Sequence, residues 1–153
     1  TTLDTTPVGT CPAWRRIVVH YSYRPTGTAG MSTADPCVST ADNSAWGGHL
    51  RINSEYWAAG WYSTDPAQQE IMRKNVISHE LGHIFGLAHP NYDRDGDGAV
   101  ENYECVKNSA GWTPTLCSPN GGYRTTSSAG RFLTEFDVAG LKQLALNWHL
   151  RQG

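Results

Sequence analysis

Residues 79–89 read HELGHIFGLAH, and their types and spacing are those of a metal site that hydrolyses. His79 and His83 are four apart, so on a helix both imidazoles leave one face and can share an ion. Glu80 lies about 100° around that helix from His79. It is therefore off the ligand face, yet near enough for its carboxylate to reach a metal-bound water. Gly86 permits the sharp left-handed turn, costly for a residue with a Cβ, that must bring His89 back to its fellows. Three imidazoles with a fourth position open to water suit Zn²⁺ in a catalytic site. On average residue frequencies this five-position pattern recurs by chance on the order of once in 10⁵ chains of this length.

A second constellation follows at once. Residues 93–104 read DRDGDGAVENYE, with Asp93, Asp95 and Asp97 at alternate positions, Gly98 sixth and Glu104 twelfth. That is the EF-hand loop pattern D-x-D-x-D-G-x₅-E at every fixed position. The spacing lets three carboxylates wrap a hard cation, Ala99 offers its carbonyl, and Glu104 closes the sphere. With Glu101 the loop carries five acids, which repel one another unless a cation sits among them. The loop starts four residues after His89 and ends beside Cys105, with no helical pattern on either side. The expectation is an EF-like structural Ca²⁺ loop that steadies His89 and the lower lip of a cleft.

These groups need elements to hold them. Asp65 as N-cap, Pro66 in the first turn and Gln68 three residues after the cap predict a helix start. Ile77, Leu81, Ile84 and Phe85 are expected to face the core, Glu70 and Lys74 to pair on the solvent side, and Gly86 to end the helix. A second helix is predicted over about 134–150. Thr134 and Asp137 resemble a capping box there, and Val138, Leu141, Ala145 and Trp148 form its apolar stripe. RRIVVHYSY at 15–23 reads as a strand, and HLRIN at 49–53 as a half-buried one with Leu50 and Ile52 inward. Residues 1–14 read as an extended arm and 24–47, rich in Gly, Pro, Ser and Thr, as a long loop. The Trp and Tyr residues are expected in the core and cleft wall. His20, His49 and His149 read as surface or strand histidines.

The chain has 153 residues, 39% hydrophobic and 17% charged, with a net charge of −2. This fits one globular domain over 1–153 and excludes a disordered chain. Without a basic cluster, nucleic-acid binding through phosphate neutralisation is not expected, and no apolar run is long enough to span a bilayer. The four cysteines, Cys11, Cys37, Cys105 and Cys117, contain no CxxC pair and read as two disulfides, hence a secreted protein. Three pairings are possible. Cys11–Cys37 with Cys105–Cys117 is favoured because each brackets a stretch with little core of its own. The opening TTLDTTPVGT has no leader pattern, so a secreted protein would be a processed form.

The HELGHIFGLAH segment matches the long motif of the metzincin metalloendopeptidases. GGHLRINSEYW at 47–57 resembles the edge strand and following segment of matrixin-like members, and FLTEFDVAGLKQL at 132–144 resembles their closing helix. The resemblance implies zinc ligands His79, His83 and His89 with Glu80 as general base. It also implies an α+β fold: a small mixed sheet, an active-site helix, an irregular lower half and a C-terminal helix. Peptide substrate would lie extended along an edge strand at 48–53, and Tyr123 would be placed to stabilise an oxyanion. The chain departs from the pattern in two ways. No methionine follows the third histidine, so Leu116 or Cys117 takes its place in the turn at 115–120, and no long helix precedes the strand at 49–53.

The function expected is that of a secreted, monomeric zinc endopeptidase acting on peptide or protein substrates. The competing expectations are a catalytically inactive zinc- and calcium-binding module, and a thermolysin-like protease using Glu101 or Glu104 as third ligand. No GxSxG motif supports a serine nucleophile.

Overall fold

A computed structural model describes residues 5–119, 130–132 and 134–152. The fold is mixed α and β. Strands β1 (Ile17–Ser22), β2 (Thr33–Val38) and β3 (Ala45–Asn53) are followed by a 3₁₀ turn (Ser54–Trp57) and helices α1 (Pro66–Ile84) and α2 (Glu135–Gln152). The sheet order is β1-β3-β2, with β1 parallel and β2 antiparallel to β3.

This topology corrects two expectations. Residues 24–47 are not one long loop, since β2 and the first residues of β3 lie inside them. The strand at 48–53 is the central strand, not an edge, so the strand bordering open space next to α1 is β2. Asp35 and Pro36 interrupt the alternation that would betray β2 in the sequence, and a proline is tolerated in a strand at the sheet edge. What makes this segment a strand is its pairing with β3, Thr33 opposite Arg51 through Cys37 opposite Gly47, and the Cys11–Cys37 disulfide.

Being central, β3 is buried on both faces. Leu50 and Ile52 join Tyr56, Val76 and Ile84 in the core under α1. On the opposite face His49, only 2% exposed, sits with Nδ1 2.7 Å from His20 Nε2 and donates from Nε2 to the Thr10 carbonyl at 2.8 Å. Of the two settings expected, surface or strand, His49 takes the strand, as an interior hydrogen-bonding group that ties the N-terminal arm to the sheet.

Helix α1 starts as its sequence predicts, with Asp65 Oδ1 accepting from the Ala67 N–H at 2.9 Å. The side chain that organises its approach is Gln69 rather than Gln68. Gln69 Oε1 accepts from the N–H groups of Tyr62 and Ser63, and its Nε2 donates to the carbonyls of Tyr56 and Ala58. The buried stripe runs through Met72, Val76, His79 and Ile84, with Ile77 and Leu81 partly buried beside it. Phe85 is 39% exposed, because it stands at the cap where the chain leaves the helix axis. Glu70 pairs with Lys74 and, at 2.7 Å, with Arg73. Helix α2 lies over an apolar groove of about 580 Å³ lined by Leu141, Leu144 and Trp148. Of its expected stripe, Ala145 also lines that groove, at its exposed side, and Val138 is exposed. Most tryptophans and tyrosines also sit at the surface, Tyr56 being the fully buried exception among the described residues.

The loop from β1 to β2 is fastened by a buried carboxylate. Glu55 accepts from Arg24 Nε at 2.7 Å, the Gly30 N–H at 2.8 Å and Asn53 Nδ2 at 2.9 Å. Burial alone would raise its pKa; the donors from Gly30, Arg24 and Asn53 outweigh that and hold it below the ordinary carboxylate range. The stabilisation is therefore present above the unfolded pKa and lost as the pH falls through the folded one. Glu55→Gln is expected to lower the melting temperature at neutral pH. The gap from the parent should close as the pH drops below the normal carboxylate range, as thermal unfolding across pH would show.

Candidate metal centre and cleft

Helix α1 carries His79 and His83 one turn apart, and the chain then reverses. The Gly86 N–H donates to the His83 carbonyl at 2.9 Å and the Leu87 N–H to the Gly82 carbonyl at 3.0 Å, with Gly86 at φ 100°. This is the double hydrogen bond of a Schellman cap, and its left-handed residue is what glycine allows. The reversal brings His89 Nε2 to 3.1 Å from both His79 Nε2 and His83 Nε2.

The opposite ring nitrogens decide what these contacts mean. His79 Nδ1 donates to the Thr115 carbonyl at 3.0 Å, and His83 Nδ1 to the Leu87 carbonyl at 2.8 Å. Each proton is thus on Nδ1, and both Nε2 atoms turn lone pairs toward His89. Carbonyls that fix the tautomer in this way are the usual outer partners of metal-bound imidazoles. Burial, partly opposed by the Thr115 carbonyl and aided by His83 and His89, lowers the His79 pKa to about 4. Burial also lowers that of His89. Both shifts favour the neutral ring, the form in which imidazole binds a metal. Three imidazole nitrogens at this spacing fit an ion at the usual Zn–N distance of about 2 Å.

The cluster opens into a cleft of about 800 Å³ lined by β2, Tyr56, His79, Glu80, His83 and His89, with Ser118 and Pro119 on its rim. Glu80 faces it half-buried; burial first, then the charge of Asp35, push its pKa up to about 7. A cation held by the imidazoles would act against that rise.

Beneath the cluster lies the turn at 115–118. Leu116 is 2% exposed and packs on α1 at Gly82, where a Cβ would stand 2.5 Å from Leu116 Cδ2 and 3.2 Å from Phe132 Cε1. Cys117 is bonded to Cys105, so of the two residues expected in the methionine's place it is Leu116 that fills the space against α1. The buried Asp137 at the start of α2 takes the Thr115 N–H at 2.8 Å and the Thr115 and Thr134 hydroxyls at 3.2 and 2.6 Å. The pattern of Thr134 and Asp137 marked a helix cap but gave no sign that Asp137 also holds the turn under His79. Tyr123 lies outside the described residues.

The acidic loop folds into two overlapping groups, Asp93 with Asp95 and Glu104, and Asp95 with Asp97 and Glu101. Asp93 caps the N–H groups of Gly96 and Gly98, and Glu104 those of Arg94, Asp95 and Glu101. These donors hold the Glu104 carboxyl near a pKa of about 2. The Ala99 N–H donates to Asp97 Oδ1. Glu101 and Glu104 thus group with the aspartates, while His89 groups with His79 and His83.

The chain matches no family model, no curated protein and no solved structure. The site's own geometry is what speaks for its chemistry.

Gly82→Ala is expected to displace Leu116, lower stability by about 1–3 kcal/mol and weaken metal binding. Thermal unfolding and competition with a chromophoric chelator would measure the two. His83→Ala should weaken metal binding by more than the roughly 10–100-fold that loss of an outer partner costs.

Proposed function

We propose that the protein is a secreted zinc-dependent endopeptidase with an EF-like calcium loop. The observation that carries the reading is the convergence of three imidazole Nε2 atoms with Glu80 beside them in one open cleft. The two carbonyl-held tautomers add that these nitrogens present lone pairs rather than protons. When bound, zinc supplies a Lewis acid for the scissile carbonyl and acidifies water.

The remaining work belongs to the chain. Glu80 takes a proton from the attacking water and returns it to the leaving amine, so that water adds across the C–N bond and one acid and one amine leave. The peptide lies extended beside β2, the edge strand on the cleft, pairing main chain to main chain. Pro36 offers its carbonyl but no N–H to that pairing. Two disulfides accord with an oxidising compartment, and no helix among the described residues is long and apolar enough to cross a membrane. Calcium in the loop relieves the repulsion of its carboxylates and steadies the segment after His89.

Cleavage of casein by the parent chain, abolished by a zinc chelator, is the expected result. Glu80→Gln should retain zinc and lose at least about 10²-fold in turnover. A parent that binds one zinc yet leaves casein intact would favour an inactive zinc- and calcium-binding module. Selective calcium removal should lower activity; unchanged activity would leave the acidic loop without a role in the centre.

A further inference from the structure

Asn91 stands two residues beyond His89, at the neck of the acidic loop, where it forms an antiparallel bridge with Cys105. Its amide reaches across to Ser118. Oδ1 accepts from the Ser118 N–H at 2.7 Å, and Nδ2 donates to the Ser118 carbonyl at 3.1 Å and the Glu101 carbonyl at 3.2 Å. One side chain therefore holds both main-chain groups of one residue. Ser118 follows Cys117, whose sulfur is bonded to Cys105, Asn91's own bridge partner. The contacts form a closed cycle from Asn91 through Ser118, Cys117 and Cys105 back to Asn91.

That cycle fixes a wall of the cleft. Ser118 and Pro119 line it together with His83 and His89, although they belong to no helix or strand. Without that amide the Ser118 N–H would be left to water and its carbonyl to the Tyr103 N–H alone, at 2.7 Å, and the wall would be freer to shift. The Asn91 amide bonds to the main chain of Ser118 and Glu101. A side chain that both donates and accepts is needed: aspartate keeps only the acceptor, and alanine keeps neither.

We propose that Asn91 is a positioning residue that holds the Ser118–Pro119 wall against bound peptide and so governs substrate affinity rather than the chemical step. This rests on the endopeptidase reading. Its readouts are steady-state kinetics on an internally quenched peptide taken from a casein cleavage site, and hydrogen exchange at the Ser118 amide. The parent, Asn91→Ala and Asn91→Asp would be compared with zinc and calcium bound.

Asn91→Ala is expected to raise KM about tenfold, matching the net worth of one or two neutral hydrogen bonds. Its kcat and zinc affinity should stay within about twofold, and its Ser118 amide should exchange faster. Asn91→Asp keeps the acceptor for that amide but sets a carboxylate oxygen against the Ser118 and Glu101 carbonyls; it should likewise raise KM and serves if the alanine variant does not fold. Peptides shortened from one end should erase the difference between parent and variant. An unchanged KM, or a loss confined to kcat, in variants of a parent that cleaves overturns the proposal and leaves the endopeptidase reading standing. A parent that leaves casein intact overturns both.

Discussion

The hydrogen bond from His79 Nδ1 to the Thr115 carbonyl is the constraint around which the lower half of the molecule is arranged. A buried imidazole can serve as a ligand only if one nitrogen is held by a partner and the other is left free. That partner must come from a segment with no regular structure, because α1 uses its own carbonyls internally. The four residues from Thr115 to Ser118 are accordingly anchored one by one. Asp137 holds Thr115, Leu116 fills the space beside Gly82, Cys117 is bonded to Cys105, and Asn91 takes Ser118. Each anchor comes from a different part of the chain, so the turn does the work of a packed layer without being one.

The upper half follows another logic. Its sheet has three strands among the described residues, and buried polar side chains complete what so small a sheet cannot cover. Glu55 fastens the loop between β1 and β2, His49 fastens the arm, and Gln69 fastens the approach to α1. Buried polar groups are tolerable when every one is satisfied. The Cys11–Cys37 bond adds a covalent tie to β2, the strand that borders the cleft.

Legibility in the sequence followed the range of the interaction. Helix α1, its Asp65 cap, its Gly86 stop and the grouping of His79, His83 and His89 depend on neighbours within about ten residues, and periodicity and spacing reach that far. Strand β2 did not show, since Asp35 and Pro36 spoil its alternation and only the distant β3 makes it a strand. For the same reason β3 read as an edge when it is central. Asp137 showed as a cap but not as the holder of Thr115, 22 residues away. Asn91, bonding over 27 residues, left no local trace. Phe85 continued the apolar period of α1 into the open because period alone does not mark where a helix axis ends.

Gln69 carries a consequence for how this chain can vary. Between the 3₁₀ turn and α1 the backbone is held at Tyr56, Ala58, Tyr62 and Ser63 by that one side chain. Meanwhile Trp57, Ala58 and Trp61 turn outward. What is fixed in this connection is its main chain, which every residue type except proline supplies alike. Its outward-facing residues are therefore free to drift, while the identities that cannot drift are Gln69 and the tyrosines Tyr56 and Tyr62 that pack in or against the core. Even the isosteric glutamate at position 69 would leave the carbonyls of Tyr56 and Ala58 without their donor.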